Sequence, residues 1–302
     1  MGGQGSAFCR SPPQAVQAPE PAPGVLYLVG TPIGNLADLS PRARQVLAGV
    51  QRIACEDTRR SGLLLHQLGL RQKEQGPRLV SFHAHNQTAR IPELLAALAA
   101  GEALAVISDA GLPGISDPGE LLVAAARTAG HNVICIPGPS AVTTALVSSG
   151  LPCGRFCFEG FLPPKTNQRR QRLQELQAEQ RTMVLFEAPH RLLDLLDDLL
   201  AVLGDRPLRV ARELTKKHEE QVGPSVSAAI EHFRRTPPQG ECTLVVAGAL
   251  PPEPLAWDSA ALSAELQELQ RAGHSSNAAA KLLAERTGHS KRKLYALLHQ
   301  ES

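Results

Sequence analysis

Short apolar runs alternate with longer segments of mixed polarity through the first half of the chain, which is the pattern of strands alternating with helices. The apolar runs that predict strands are residues 25–29, 53–55, 79–82, 104–107 and 133–136. Ser40-Pro41 predicts a helix start, because serine caps free N–H groups and proline fits the first helical position. Further helices are predicted at about 92–100 and 119–129. This alternation indicates a mainly parallel sheet with helices on both faces.

A second series of the same kind begins near residue 156. Its expected strands are 156–161, 182–187, 207–212 and 242–247, with a weaker one at 217–222. Its expected helices are 166–179, 189–203 and 225–235. The two halves therefore have similar plans without a visible sequence repeat, and we expect α/β domains at 24–142 and 143–250.

The two ends of the chain have a different composition. Residues 1–23 are rich in Pro, Gln, Ala and Gly without an apolar core, which indicates a disordered tail rather than a signal peptide. A linker containing Pro251, Pro252 and Pro254 precedes a small basic domain at 255–302, with helices at 259–272 and 276–300. Gly288 ends one helix and Ser290 begins the next, which outlines a helix-turn-helix. A helical hairpin with a solvated basic face is the alternative.

Composition narrows the classes of function. The net charge is only +2, so binding of nucleic acid would depend on local patches. Aromatic residues make up 3% of the chain, which argues against a stacking platform for single strands. The six cysteines form no Cys-x-x-Cys motif, as expected of scattered thiols in a reducing cytoplasm. The uncharged stretch 132–154 is interrupted by prolines and glycines, so we expect no membrane span.

Unusual loops follow several predicted strands. The longest, residues 108–119, contains three glycines, two prolines and two aspartates. The others are residues 30–36, 136–141, 186–191 and 212–217. The chain lacks the Gly-x-Gly-x-x-Gly and P-loop spacings at these loops, so binding of a dinucleotide or nucleoside triphosphate is only weakly indicated. Ligands of parallel sheets collect beyond the carboxyl ends of strands, so we expect these loops to line one cleft.

A set of motifs in order along the chain resembles that of a known family. The motifs are residues 30–36, Cys-Glu-Asp-Thr-Arg at 55–59, 81–86, Ser-Asp-Ala-Gly-Leu-Pro-Gly-Ile-Ser-Asp-Pro-Gly at 108–119, 137–141, 159–163, 186–191 and 212–216. They are similar to motifs of the tetrapyrrole methylase family of S-adenosylmethionine (SAM) enzymes, and in particular of its members that modify ribosomal RNA. The resemblance covers about residues 24–250, and the basic end of the chain resembles the C-terminal helical domain of those members.

The resemblance implies the two-domain α/β fold of tetrapyrrole methylases, the class III SAM methyltransferases, with a small C-terminal helical domain. SAM is then expected in the cleft between the two α/β domains of a cytoplasmic homodimer. The implied reaction is 2′-O-methylation of a cytidine ribose in the decoding region of 16S rRNA, within the small ribosomal subunit.

Individual residues receive expected roles from this resemblance and from their chemistry. The cofactor pocket is expected to contain Pro32, Gly34, Asp109, Ala110, Gly111, Leu112, Ile115, Ser140, Ala141, Phe186 and Ala188. The candidates for the base that removes the ribose proton are Glu187, Asp57 and His190. The cations expected to hold RNA phosphates are Arg59, Arg60, Lys165, Arg191, Arg212, Lys216, Lys291, Arg292 and Lys293. No metal is expected, because the segment with His83 and His85 offers no third ligand except Asn86.

Other interpretations stay open at the level of sequence. Glu187 could instead cap a helix or join an ion pair, and Asp57 could pair with Arg59 or Arg60. The same scaffold could methylate a tetrapyrrole such as a precorrin, although the motifs at residues 56–60 and 187–191 and the basic tail argue against it. A non-catalytic protein that binds RNA through its C-terminal helices is a third interpretation. The near-neutral charge and the set of loops disfavour it.

Overall fold

The computed structural model describes residues 20–71, 76–251 and 257–298. The chain forms two compact units, one ending at Ala249 and one beginning at Leu250. Residues 1–19 of the expected tail, and Pro252 and Pro254 of the expected linker, lie outside the described residues. No helix within the described ranges is both long enough and apolar enough to cross a membrane.

The first half of the larger unit is built on a five-stranded parallel sheet. Its strands are β1 (Leu26–Val29), β2 (Arg52–Cys55), β3 (Arg78–Ser81), β4 (Leu104–Ile107) and β5 (Val133–Ile136), in the order β3-β2-β4-β1-β5. Its helices are α1 (Pro41–Gly49), α2 (Thr58–Gln67), α3 (Gln87–Ala99) and α4 (Glu120–Thr128). The predicted strands and the predicted helix start are confirmed, since Ser40 Oγ accepts a hydrogen bond from Ala43 N at 3.0 Å. Helix α2 was not predicted.

This sheet is buried on both faces, as its apolar runs require. Leu26 and Tyr27 are neighbours in β1 but belong to different apolar clusters, because successive side chains of a strand point to opposite faces. Tyr27 packs with Val46 and Leu47 of α1, whereas Leu26 belongs with Leu94 and other side chains of the α3–α4 side. The predicted layering, with helices on both sides of a parallel sheet, is therefore confirmed.

The second half is built on a five-stranded mixed sheet. Its strands are β6 (Phe156–Phe161), β7 (Thr182–Glu187), β8 (Leu208–Arg212), β9 (Glu220–Val222) and β10 (Cys242–Val246), in the order β6-β7-β10-β8-β9. Only β6 and β7 pair in parallel; β10 is antiparallel to both of its neighbours, and β9 is antiparallel to β8. The expectation of two similar halves is wrong in this respect. Residues 213–219 join β8 to β9 without a helix, and such a short connection joins antiparallel strands.

The helices of the second half are α5 (Ala141–Ser148), α6 (Thr166–Glu175), α7 (Leu192–Leu203) and α8 (Val226–Arg235). Helix α5 follows directly from the first sheet but packs on the second, where Val142, Ala145 and Leu146 meet Val184 and Val245. The boundary expected at residue 142 would therefore cut this helix. Helix α5 carries the chain from one sheet to the other, which places its first turn between them.

The end of the expected tail is part of the fold. Arg42 donates two hydrogen bonds to the Glu20 carboxylate, one of them from Nε at 2.7 Å. The backbone N–H of Ala22 donates to the buried Tyr27 hydroxyl at 2.9 Å. The expectation of disorder up to residue 23 is therefore corrected for residues 20–23, because a guanidinium and a buried hydroxyl of the first domain hold them.

Within residues 257–298, the smaller unit contains three helices: α9 (Ser259–Arg271), α10 (Ser276–Thr287) and α11 (Lys291–Leu297). Its core is formed by the buried side chains of Leu262, Leu266, Leu283 and Leu294. Gly288 ends α10 in the left-handed region with φ of 69°, as predicted, because glycine adopts that conformation without steric cost. The basic side chains at the start of α11 are exposed.

Candidate active site

A cavity of about 400 Å³ lies in the larger unit between the carboxyl ends of the first sheet's strands and one end of the second sheet. From the first sheet it is lined by loops that follow β1, β2, β4 and β5. From the second sheet it is lined by the ends of β6 and β7, the loop after β8 and the start of β10. The side chains and backbone of two separate sheets therefore converge on one site.

The floor of the cavity is the loop after β4. Thr31 and Gly111 exchange two backbone hydrogen bonds of 2.8 and 3.1 Å, which ties this loop to the one after β1. Gly111 has φ of +87°, a conformation that side chains with a Cβ rarely adopt. The backbones behind the floor are also in close contact, since a Cβ on Gly30 would lie 2.8 Å from the Cα of Gly138. The glycines therefore allow three loops to pack together under the cavity.

The first turn of α5 forms another wall. Ser140 is the N-cap residue, but its side chain accepts no hydrogen bond from the helix N–H groups. Ser140, Ala141 and Val142 all line the cavity. The unsatisfied N–H groups and the positive end of the helix dipole at this point favour a bound anion such as a carboxylate.

Aromatic and aliphatic side chains give the cavity an apolar part. Phe186 packs against Phe158 with ring centroids 5.0 Å apart and against Phe161 with centroids 5.6 Å apart. Phe161 and Phe186 line the cavity, together with Leu112 and Ile115 from the loop after β4. This combination suits a flat, largely apolar group such as a nucleobase.

Carboxylates outnumber cations around the cavity. The lining carboxylates are Glu56, Asp109, Asp117, Glu187, Glu213 and Glu241, and the lining cations are Arg60 and Lys216. Both of these cations are already paired: Arg60 with Asp109 at 2.7 Å, and Lys216 with Glu213 at 2.9 Å. The remaining negative charge favours a ligand that carries positive charge.

The crowding of carboxylates is strongest at Asp117. Burial and the nearby Glu56 carboxylate raise the pKa of Asp117 from 3.8 to about 6, although a hydrogen bond with Ser108 lowers it in part. Placing a carboxylate in this position therefore costs free energy in the folded protein near neutral pH.

An Asp117→Asn variant is expected to raise the free energy of unfolding near pH 7 by about 1–2 kcal/mol. The folded protein holds the Asp117 proton more tightly than the unfolded chain, so stability falls as the pH rises from about 3.8 to about 6, and the loss is complete above that range. Urea unfolding near pH 4 and near pH 7 should show the advantage of the variant mainly at the higher pH. Asp38→Asn, at an exposed position before α1, is the control. A gain of equal size at both pH values would contradict this interpretation.

Glu187, at the end of β7, is the most buried carboxylate of the cavity. Only 1% of the residue is exposed. Its Oε1 accepts a hydrogen bond from Ala188 N at 2.8 Å, and its Oε2 lies 3.1 Å from Nη2 of Arg191. No described group makes a hydrogen bond of good geometry to this Oε2. Burial raises the pKa of Glu187 despite the lowering effects of the Ala188 N–H and Arg191, so the carboxylate is a stronger proton acceptor than an exposed one.

Asp57 caps helix α2 and pairs with Arg59. It is the N-cap of α2, and its Oδ1 accepts from Arg59 N at 2.8 Å and from Arg60 N at 3.4 Å. Its Oδ2 accepts from the Arg59 guanidinium at 2.9 Å. The hydrogen bonds with Arg59 lower the pKa of Asp57 to about 2, which makes it a weak base.

The structure brings most of the expected cofactor residues together. Those lining the cavity are Asp109, Ala110, Gly111, Leu112, Ile115, Ser140, Ala141, Phe186 and Ala188. Pro32 and Gly34 lie outside the lining, on the loop after β1, where Gly34 is so close to the Lys216 side chain that a Cβ would overlap it. Among the expected bases, only Glu187 lines the cavity, and His190 is exposed in the turn before α7.

Several of the expected RNA-binding cations are held in ion pairs within the larger unit. The pairs are Arg59 with Asp57, Arg60 with Asp109, Arg191 with Glu187, Arg212 with Glu220 and Lys216 with Glu213. Lys165, at the start of α6, is exposed, as are Lys291, Arg292 and Lys293 in the helical unit. The positive potential of the larger unit is therefore weaker than the number of cations suggests.

Other lining residues were missed by sequence reasoning, which looked only beyond the carboxyl ends of strands. Glu241, Cys242 and Thr243 enter the cavity at the start of β10, because this strand runs antiparallel to β7 and β8. Cys242 is the partner of both Glu187 and Arg212 in the sheet register. Burial raises the pKa of Cys242 to about 12. The thiol therefore lines the cavity as an uncharged group and does not act as a nucleophile. A strand orientation cannot be read from a short apolar run.

The larger unit has two α/β halves, each built on its own five-stranded sheet, and one cavity lined by both. This is the fold of the class III SAM methyltransferases. The model of the Tetrapyrrole (Corrin/Porphyrin) Methylases matches residues 25–230, and the chain belongs to this family. Its relatives include Ribosomal RNA small subunit methyltransferase I of Synechocystis sp., which is 48% identical over 91% of this chain and 97% of that protein. The protein of the same name from Thermotoga maritima is 46% identical over 74% of this chain and 99% of its own length.

Solved structures show the same fold at low sequence identity. Uroporphyrin-III-C-methyltransferase from Thermus thermophilus has a TM-score of 0.52 and 23% identity, covering 74% of this chain and 94% of that one. Diphthine synthase has a TM-score of 0.55 and 13% identity, covering 74% of this chain and 90% of that one. At this distance the fold is shared while the substrates named for these proteins differ, so the substrate must be inferred from other features.

Proposed function

We propose that the protein is a SAM-dependent methyltransferase that modifies the ribose 2′-oxygen of a cytidine in the decoding region of 16S rRNA. Relatives identical at 46–48% carry the name of a methyltransferase of small-subunit ribosomal RNA. The observation that carries the proposal is the cavity, in which a buried carboxylate, an open helix N-terminus and an apolar wall converge.

The residues around the cavity fit SAM. Its volume of about 400 Å³ falls in the usual range for small-molecule sites. The lining carboxylates suit the positive charges of the ligand, the first turn of α5 suits its carboxylate, and Phe186 with Leu112 and Ile115 suits its adenine. When bound, SAM supplies a methyl group activated by a sulfonium leaving group.

The proposed role of Glu187 is to accept the proton of the ribose hydroxyl. It lines the cavity, and its raised pKa brings it closer to the range of an effective general base. Arg191 lies 3.1 Å from the Glu187 carboxylate and keeps it oriented. Alignment of the ribose oxygen with the activated donor supplies much of the rate in such a reaction.

The proposed contacts with RNA use cations at two places. In the larger unit, Arg59 is exposed beside the site and Lys165 is exposed at the start of α6. In the smaller unit, Lys291, Arg292 and Lys293 form a basic cluster at the start of α11. Each phosphate contact releases counterions and increases the salt dependence of binding. The proposal includes a homodimer that acts in the cytoplasm, where small ribosomal subunits are the substrate.

The purified protein is expected to transfer label from radioactive SAM to 16S rRNA in small subunits isolated from cells that lack this modification. A 2′-O-methyl group protects the following phosphodiester bond from alkali, so alkaline hydrolysis and mass mapping locate the labelled ribose. Subunits that already carry the modification are the control and should accept no label. Label in a precorrin instead of RNA, or SAM binding without transfer to subunits, would overturn the proposal.

A further inference from the structure

A second depression, of about 490 Å³, adjoins the cavity in the larger unit and shares Glu56 and Asp109 with it. Its other walls come from the segment after β3 and from the start of α2, and they include His83, His85 and Arg59. We name it the histidine groove. A group that lies in this groove is next to the cavity and outside the space assigned to the methyl donor.

The turn that carries both histidines is fixed by Asn86. Its Oδ1 accepts a hydrogen bond from His83 N at 2.8 Å, and its Nδ2 donates to Ser81 O at 3.1 Å. Helix α3 begins immediately afterwards, and Gln87 N donates to His83 O at 2.9 Å. The imidazoles of His83 and His85 are held edge to face with centroids 6.0 Å apart. Recognition surfaces require such preorganisation, and here the turn supplies it.

The environment of His83 determines which of its nitrogens can donate. Its Nδ1 is buried and has no hydrogen-bond partner among the described residues. A buried N–H without an acceptor is costly, so the neutral ring favours the tautomer in which Nε2 carries the proton. His83 therefore offers the groove a hydrogen-bond donor, whereas His85 is exposed and offers a ring face.

The charge at the rim suits a nucleotide. The Arg59 side chain is 89% exposed, although its guanidinium lies 2.9 Å from Asp57. An arginine at such an exposed pair can turn toward a phosphate at small cost, because exposed ion pairs contribute little free energy. The groove thus combines a ring face, a fixed donor and an adjustable cation, which are the groups that bind a base, a base edge and a phosphate.

We propose that the histidine groove holds the target nucleotide, turned out of its RNA strand, with its base against His85 and hydrogen bonded by Nε2 of His83. This inference rests on the proposed function and adds the place where the acceptor is recognised. Proteins that recognise RNA bases commonly stack them on aromatic side chains, including histidine. A metal ion is the competing occupant, but the described residues contain no group of three or more candidate ligands.

His85→Ala is expected to raise the KM for unmodified small subunits about tenfold, with kcat and the SAM dissociation constant changed by less than about twofold. His85→Phe keeps a flat ring and should restore most of the loss, whereas His83→Ala removes the donor and should weaken binding to a similar extent. His66→Ala, at the exposed end of α2, is the matched control and should behave as the wild type. Thermal melting of every variant checks that the fold is kept.

Binding of the same subunits to the protein in the presence of S-adenosylhomocysteine separates this inference from the proposed function, because it requires no transfer. Subunit binding that depends on His85 without any methyl transfer would support the groove and reject the proposed reaction. Methyl transfer with an unchanged KM in both His85→Ala and His83→Ala would reject the groove alone. Binding of one equivalent of Zn²⁺ by the wild type that both variants lose would also overturn it.

Discussion

A Gly111→Val variant is expected to bind SAM about ten- to a hundredfold more weakly than the wild type while remaining folded. Gly111 has φ of +87°, where a β-branched residue is strained by about 1–3 kcal/mol. Its N–H and C=O both pair with Thr31, so relief of the strain has to move the loop that forms the cavity floor. The added Cβ itself finds room, since the nearest atoms are Ile33 Cγ2 at 3.4 Å and Pro139 O at 3.7 Å. The contacts of the Cβ therefore do not by themselves account for the loss, whereas the strained backbone does, and isothermal calorimetry measures the SAM affinity.

Gly101→Val is the matched control for this prediction. Gly101 also has φ of +87°, lies in the turn after α3, and has open space around the position of a Cβ. Both variants should lose comparable stability in urea, but only Gly111→Val should lose SAM affinity. Unchanged affinity in Gly111→Val, or an equal loss in Gly101→Val, would reject the assignment of this loop to the cofactor.

Sequence could predict the part of the site that lies at the carboxyl ends of strands, because the strand ends can be located from the apolar runs. Gly111 and Ser140 follow the ends of apolar strands, Glu187 is the last residue of one, and the carboxyl ends of aligned strands meet at one edge. The rule holds for the first sheet because helices connect all of its strands in parallel. It also holds for β7, whose end carries Glu187 to the same cavity.

Sequence could not predict helix α2 or the partners of the charged side chains. Helix α2 begins Thr-Arg-Arg-Ser-Gly, which shows no apolar periodicity, so the capping role of Asp57 was hidden. Ion pairs between distant segments also could not be predicted, and they reduce the number of cations available to RNA. Arg60, for example, pairs with Asp109, which lies 49 residues further along the chain. Sequence gives the number of charges but not their partners, and the partner decides whether a cation can reach a phosphate.

The mixed sheet has a consequence for the chemistry of the site. Because β10 runs antiparallel between β7 and β8, its first residue, Cys242, lies between Glu187 and Arg212. An apolar, neutral thiol at that point keeps Glu187 separate from the Arg212–Glu220 pair. The only charged group within ion-pair distance of Glu187 in the described residues is Arg191, so burial dominates and the pKa of Glu187 stays raised.

Glu187→Gln is expected to lower kcat for methylation of small subunits about a thousandfold, with SAM affinity changed by less than about threefold. The amide keeps the shape of the side chain and can still accept from Ala188 N, but it cannot take a proton. The wild-type rate should fall as the pH drops through the raised pKa of Glu187, because the base is then protonated, and this acid limb should be missing from the residual activity of the variant. Single-turnover rates across the pH range measure both effects.

Glu241→Gln is the matched control, because Glu241 also lines the cavity but is exposed at the start of β10. Its rate should stay within about threefold of the wild type, since a solvated carboxylate at the rim has no reason to take the ribose proton. Thermal melting distinguishes lost chemistry from lost structure, because Glu187→Gln also removes the charge that faces Arg191. A folded Glu187→Gln variant with a normal rate would show that Glu187 serves to hold Arg191, and that the ribose proton leaves by another route.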